Sequence, residues 1–161
     1  MVFLMIPTPL AMIEYGLSEA VAGDVIRWHV AAMFAPSFFT GFLIKRFGSW
    51  RISMTGILLL VLAALAAAAG VSSRHFYGSL FVLGVGWNFG FIGATTMLAN
   101  AVSAEEKSVV QGVNDTLIAL VSTVCAFAAG MIIAGFGWTT VALVALAVLA
   151  LTLAMLVFTK P

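Results

Sequence analysis

Between Arg27 and Arg51 the sequence reads RWHVAAMFAPSFFTGFLIKRFGSWR. It is an apolar run of about twenty residues, the length of one helix through a hydrocarbon core about 30 Å thick. A basic pair, Lys45 and Arg46, framed by Gly41 and Gly48, closes the run, and the next apolar run starts at Ile52. Backbone polar groups in hydrocarbon must be satisfied within their own segment or by a neighbour, so two such runs with almost no chain between them form paired helices. The cationic turn of this hairpin belongs on the cytoplasmic side.

The rest of the chain obeys the same constraint. Hydrophobic residues make up 63% and charged residues 8%, whereas a soluble domain carries about 25% charged residues. With so few charges, the net charge of +1 says nothing about partners; no nucleic-acid partner is expected. Cys125 is the single cysteine, and His29 and His75 stand far apart, so neither a disulfide nor a metal site is expected. No cofactor is expected.

Hydropathy divides the chain into segments at about 1–13, 25–44, 52–70, 76–99, 113–134 and 138–158. The expected fold is a single all-α integral membrane bundle, with five full transmembrane helices and one partial. The partial helix is Met1–Ile13. It is interrupted by Pro7 and Pro9, lacks the basic start of a signal peptide, and rises only about 20 Å. It reads as the second half of a span whose beginning is missing. Ser18 is the expected N-cap of the following helix, with Glu19 favourable in its first turn. Pro36 frees a backbone carbonyl that a kink or a neighbouring helix must accommodate. The 52–70 segment, nearly all Leu, Val and Ala, reads as a peripheral helix facing lipid or scaffold. Ser103 and Glu106 fit a capping box opening the fifth span, and Gly135-Phe136-Gly137 fits a tight turn after it.

The 76–99 segment differs in kind: Gly84, Gly86, Gly90 and Gly93 surround Trp87, Asn88, Thr95 and Thr96. Gly86 and Gly90 form a small-xxx-small pair for close helix packing, and Ala126, Gly130 and Ala134 repeat that spacing in the fifth span. Asn88 needs a partner, either on another helix or in a solute. Thr95 and Thr96 are able to bond back to their own helix. Asp115, with Asn114, has two placements. If the membrane begins near Val109, the carboxylate lies roughly 9 Å inside and is a candidate ion or proton site. If the span is 116–135, it lies at the interface. Asp24 and Arg27 share one helical turn as an outer-surface pair. His29 reads as an interfacial anchor like Trp28, with a side chain able to titrate near neutrality. Cys125 reads as a small core residue.

Alternating the connections between two sides places Lys45, Arg46, Arg51, Lys107 and Lys160 on one side and Arg27 and Arg74 on the other. The richer side is the cytoplasmic one.

GFLIKRFGSWR resembles the signature loop of the major facilitator superfamily, G-x-L-a-D-r-x-G-r-r. Gly41, Leu43, Arg46, Gly48 and Arg51 stand at or close to matching positions. Lys45 replaces the acidic residue, which fits the looser second copy of the loop between the eighth and ninth helices. LGVGWNFGFIGATTMLAN resembles the tenth helix, and AEEKSVVQGVND resembles the link into the eleventh. The resemblance implies the C-terminal half of a twelve-helix bundle, helices seven to twelve with the seventh truncated, built as an inverted pair of three-helix repeats. It further implies a gating role for Gly41, Leu43, Lys45, Arg46, Gly48 and Arg51. It also places Trp87, Asn88 and Thr95 beside a central cavity as candidate substrate contacts.

The function expected from this reading is secondary transport of a small molecule or ion by alternating access, as symport or antiport. The implied partners are the lipid bilayer, the solute and a missing N-terminal six-helix half, and the implied location is a bacterial cytoplasmic (inner) membrane. No nucleotide-binding pattern, paired mid-membrane carboxylates or serine–histidine arrangement points to an enzyme. The rival is a non-transporting membrane fragment or helical assembly partner.

Overall fold

The computed structural model describes residues 1–158, so Lys160 lies outside the described residues. The order of elements is α1 (Val2–Met5), α2 (Thr8–Glu14), α3 (Glu19–Phe34), α4 (Ser37–Phe47), α5 (Ser49–Ala69), α6 (Ser73–Asn100) and α7 (Lys107–Phe158). Prolines set the first breaks. Pro7 separates α1 from α2, and the Thr8 hydroxyl bridges the break by donating to the Leu4 carbonyl at 2.7 Å. Pro36 separates α3 from α4, which together make one bent span, Glu19–Phe47. This span begins earlier than hydropathy places it because Ser18 caps it, accepting from the Val21 N–H at 3.4 Å.

Among the described residues, four helices are long and apolar enough to cross a membrane: Glu19–Phe47, Ser49–Ala69, Ser73–Asn100 and Lys107–Phe158. The last, at 52 residues, would extend about 78 Å if straight, well over one bilayer. It breaks at Gly137, where φ is +76° and ψ 177°, a region open essentially to glycine alone. The first arm, 107–136, starts beside the end of α6, where Gln111 Nε2 donates to the Thr95 carbonyl at 3.3 Å. The second arm, 138–158, starts at the opposite end. There Trp138 is buried against Phe76 with ring centroids 5.2 Å apart, and its indole N–H donates to the Ala67 carbonyl at 2.9 Å. The arms therefore run antiparallel, and the capping-box residues stand one turn ahead of α7 rather than inside it.

α5 and α6 form the tightest pair. The buried face of α5 carries Ser53, Gly56, Ala63, Ala64 and Ala67, and its exposed face carries Leu58, Leu62 and Leu65. A Cβ on Gly56 would overlap the Gly90 backbone, and one on Gly86 would fall 3.0 Å from the Gly56 carbonyl. Ser79 Oγ donates to the Ala63 carbonyl at 2.9 Å. The 52–70 segment is thus a core element on one face, a correction to the purely peripheral reading. Its small residues let the backbones meet where bulkier ones would hold them apart. The rest of the core joins Leu4 and Met12 to Val25, Leu80, Leu83 and Val141.

Candidate functional site

The bent span meets α6 through one polar knot. Asn88 is buried, and its Nδ2 donates to the Met33 carbonyl at 2.7 Å and to Ser37 Oγ at 2.6 Å. Its Oδ1 lies 2.6 Å from Thr40 Oγ1. A carbonyl only accepts, so the Met33 contact fixes which amide atom is nitrogen, and Thr40 must then donate to Oδ1. The Pro36 carbonyl, 2.8 Å from the same hydroxyl, already accepts from the N–H groups of Phe39 and Thr40. Asn88 therefore holds both sides of the proline break. Of its two sequence readings, the geometry supplies the helix–helix partners, since its polar atoms are engaged within the bundle.

Trp87, one residue earlier, points elsewhere. It lines an apolar cavity of about 400 Å³ with Leu83, Phe3 and Leu4, with Ile118, Val121, Ser122 and Cys125 of the first arm of α7, and with Val144 and Val148 of the second. Phe91, one turn along α6, stacks on the indole with centroids 4.8 Å apart and planes 14° apart. Phe34 of α3 meets Trp87 edge-on at 6.4 Å and 71°. Phe91 stands at the i+4 position that a helix brings alongside Trp87. Phe34 carries no local signal. Thr95 contributes its carbonyl to Gln111, and Thr96 bonds back to the Ile92 carbonyl at 2.7 Å.

The basic turn is reduced to one residue. Gly48 ends α4 and opens α5 with φ +87° and ψ 150°, and its N–H donates to the Ile44 carbonyl at 2.8 Å. Lys45, Arg46 and Arg51 are exposed around it, and the Arg46 guanidinium lies 5.4 Å from the centroid of the Phe47 ring. Gly41 is helical, with open space where a Cβ would stand, and Leu43 is half-buried.

The first arm of α7 turns polar groups outward. Asp115 is exposed, with Asn114 Nδ2 3.5 Å from its Oδ1. Thr116 and Thr123 satisfy themselves on the carbonyls of Gly112 and Ala119, each at 2.9 Å. A Cβ on Gly130 would meet nothing within 4 Å among the described residues. At Gly90 the backbone does receive Gly56, while a Cβ on Gly90 itself would meet nothing within 4 Å. Just before the arm, the Ser103 hydroxyl and N–H donate to Glu106 Oε2 at 2.8 and 3.2 Å. These bonds hold the Glu106 carboxyl below its usual range.

At the opposite end, Asp24 pairs with Arg27 at 3.7 Å and accepts from the Tyr77 hydroxyl at 2.7 Å. His29, read from the sequence as an interfacial anchor, is fully buried, with Nδ1 2.7 Å from the Leu80 carbonyl. That carbonyl can only accept, so Nδ1 carries the proton. Cys125 is half-buried in the cavity wall. Among the described residues no cluster of His, Cys, Asp and Glu could hold a metal ion.

A family model described as Major Facilitator Superfamily matches residues 1–161. A riboflavin transporter of Brucella anthropi, RfnT, is 42% identical over 157 residues, covering 98% of this chain and 39% of that protein. Two MFS-type transporters of Bacillus subtilis whose names assign no solute, YdeG and YddS, are 34% and 33% identical, over 89% and 86% of this chain. The chain spans 34% and 32% of their lengths, so it corresponds to well under half of each of these relatives. No solved structure matches.

Proposed function

The chain belongs to the major facilitator superfamily and is an integral membrane protein, and on that premise we propose that it supplies the C-terminal half of a secondary transporter. This half moves a small solute by alternating access against an N-terminal six-helix half, in a bacterial cytoplasmic membrane. Riboflavin, the solute in the name of the Brucella relative, is the first substrate to test.

The observation that carries this reading is the exposed Asp115 carboxylate on the first, otherwise largely apolar, arm of α7. Asn114 and Asp115 lie on the same arm as Ile118, Val121, Ser122 and Cys125, which line the Trp87 cavity. A carboxylate within an apolar helix belongs against protein or water rather than lipid. A second bundle across a solute cavity provides both. The one-residue turn at Gly48 and its exposed cations then stand at the cytoplasmic end, where the opposing half would meet them in one state and leave them in the other. Energy comes from an ion or solute gradient.

The test is counterflow uptake of labelled riboflavin into proteoliposomes. The chain is produced alone and joined to the sequence encoded upstream of it. Saturable uptake by the joined protein and none by the chain alone is the expected result. Uptake by the chain alone would defeat the half-bundle assignment, and absence of uptake of any solute by the joined protein would defeat transport.

A further inference from the structure

We propose that the Trp87 indole, braced by Phe91 and flanked by Phe34, is the surface on which the solute's flat ring system stacks. The proposal rests on the transporter reading and names the part of the solute that this half recognises.

Three observations meet at Trp87. It lies on the wall of an apolar cavity of about 400 Å³, large enough for a drug-sized molecule. Phe91 stacks on the indole at 4.8 Å with nearly parallel planes, which fixes the orientation of the ring. Phe34 stands edge-on at 6.4 Å and is 58% exposed, so its packing within the chain is incomplete. The next residue, Asn88, is tied to Met33, Ser37 and Thr40, so the backbone carrying Trp87 is held before any solute arrives. A preorganised aromatic surface binds with little ordering cost.

The occupant this chemistry selects is a planar heteroaromatic ring. Aromatic pairs prefer offset-stacked or edge-to-face contacts, and Trp87 with Phe34 offers one of each. Among the other lining residues, Leu83, Ile118 and Val121 are apolar and Ser122 brings a hydroxyl. An isoalloxazine ring meets such a wall with its faces, while a ribityl chain, rich in hydroxyls, requires polar groups from elsewhere.

The experiment uses the joined two-bundle protein with riboflavin as probe, reading uptake KM and binding Kd. Trp87→Phe keeps a ring and Trp87→Leu keeps only bulk. Trp87→Leu is expected to raise Kd and KM about tenfold and Trp87→Phe by no more than about threefold, as loss of one stacking contact predicts. In the unaltered protein, lumichrome, which carries the ring without the chain, displaces riboflavin, whereas ribitol does not. This measurement stands even if a variant fails to insert. Unchanged Kd in Trp87→Leu, or displacement by ribitol and not by lumichrome, overturns the stacking surface while leaving riboflavin transport intact. Uptake of another solute with no binding of riboflavin or lumichrome overturns it too, and leaves the transporter reading standing.

Discussion

The side-chain amide of Asn88 lies 2.7 Å from the backbone carbonyl of Met33, 55 residues away in sequence. The carbonyl stands beside a proline break, inside a span where water is not at hand to replace a lost donor. Asn88→Ala is expected to destabilise the bundle by about 1–2 kcal/mol, and Asn88→Asp by more, because a carboxylate places an acceptor against the Met33 oxygen. Thermal unfolding in detergent micelles reads both. Equal stability of all three proteins would show that the knot contributes nothing.

The α5–α6 contact gives a sharper contrast. A Cβ on Gly56 would run into the Gly90 backbone, whereas a Cβ on Gly90 itself meets nothing within 4 Å. Gly56→Ala should therefore cost about 1–3 kcal/mol through forced separation of the helices, and Gly90→Ala less than about 0.5 kcal/mol. The two variants add the same methyl group to the same interface, so the comparison isolates direction from size.

Two turns depend on backbone geometry alone. Gly48 and Gly137 hold φ at +87° and +76° with open space around them, so a side chain there is excluded by torsion rather than by neighbours. Replacing either with alanine is expected to cost about 1–3 kcal/mol. Gly41→Ala, in regular helix within the same basic motif, should be neutral or slightly stabilising. A Gly41 variant as unstable as the Gly48 variant would contradict this division.

Glu106 supplies a pH dependence. Its carboxyl is held below the ordinary glutamate value by the Ser103 hydroxyl and N–H, so the folded form binds a proton less readily than the unfolded chain. The stabilisation is present above the unfolded value and disappears as pH falls through the lower folded one. Amide exchange at Lys107, corrected for intrinsic rates, should lose protection below about pH 4.5, the usual glutamate value. In Glu106→Gln it should stay flat. A wild-type profile as flat as that of the variant would remove the cap from consideration.

Hydropathy was enough to read an all-helical membrane fold from the sequence, since span length is dictated by the bilayer and not by partners. The Ser18 cap and the Gly137 break were equally local. What stayed hidden depends on residues distant in sequence. Asn88 announced a need for hydrogen bonds, but its partners sit about fifty positions earlier, around Pro36. Thr40 and Ser37 gave no sign of reaching across. The small-residue face of α5 was present as Ser53, Gly56, Ala63 and Ala67, yet leucines between them masked it in any average. His29 followed a tryptophan near a span end and read as an interface residue, but rotation of α3 against Leu80 buries it. Phe34 joined the aromatic group only once α3 and α6 were placed side by side.

The proline break in the Glu19–Phe47 span has a mechanical consequence. Met33 lies before the break, Ser37 and Thr40 after it, and one asparagine on α6 grips all three. The bend is splinted: its two limbs cannot flex about Pro36 without tearing side-chain bonds on both sides at once. A change of angle at Pro36 therefore registers at once on α6, through the single side chain that spans the bend.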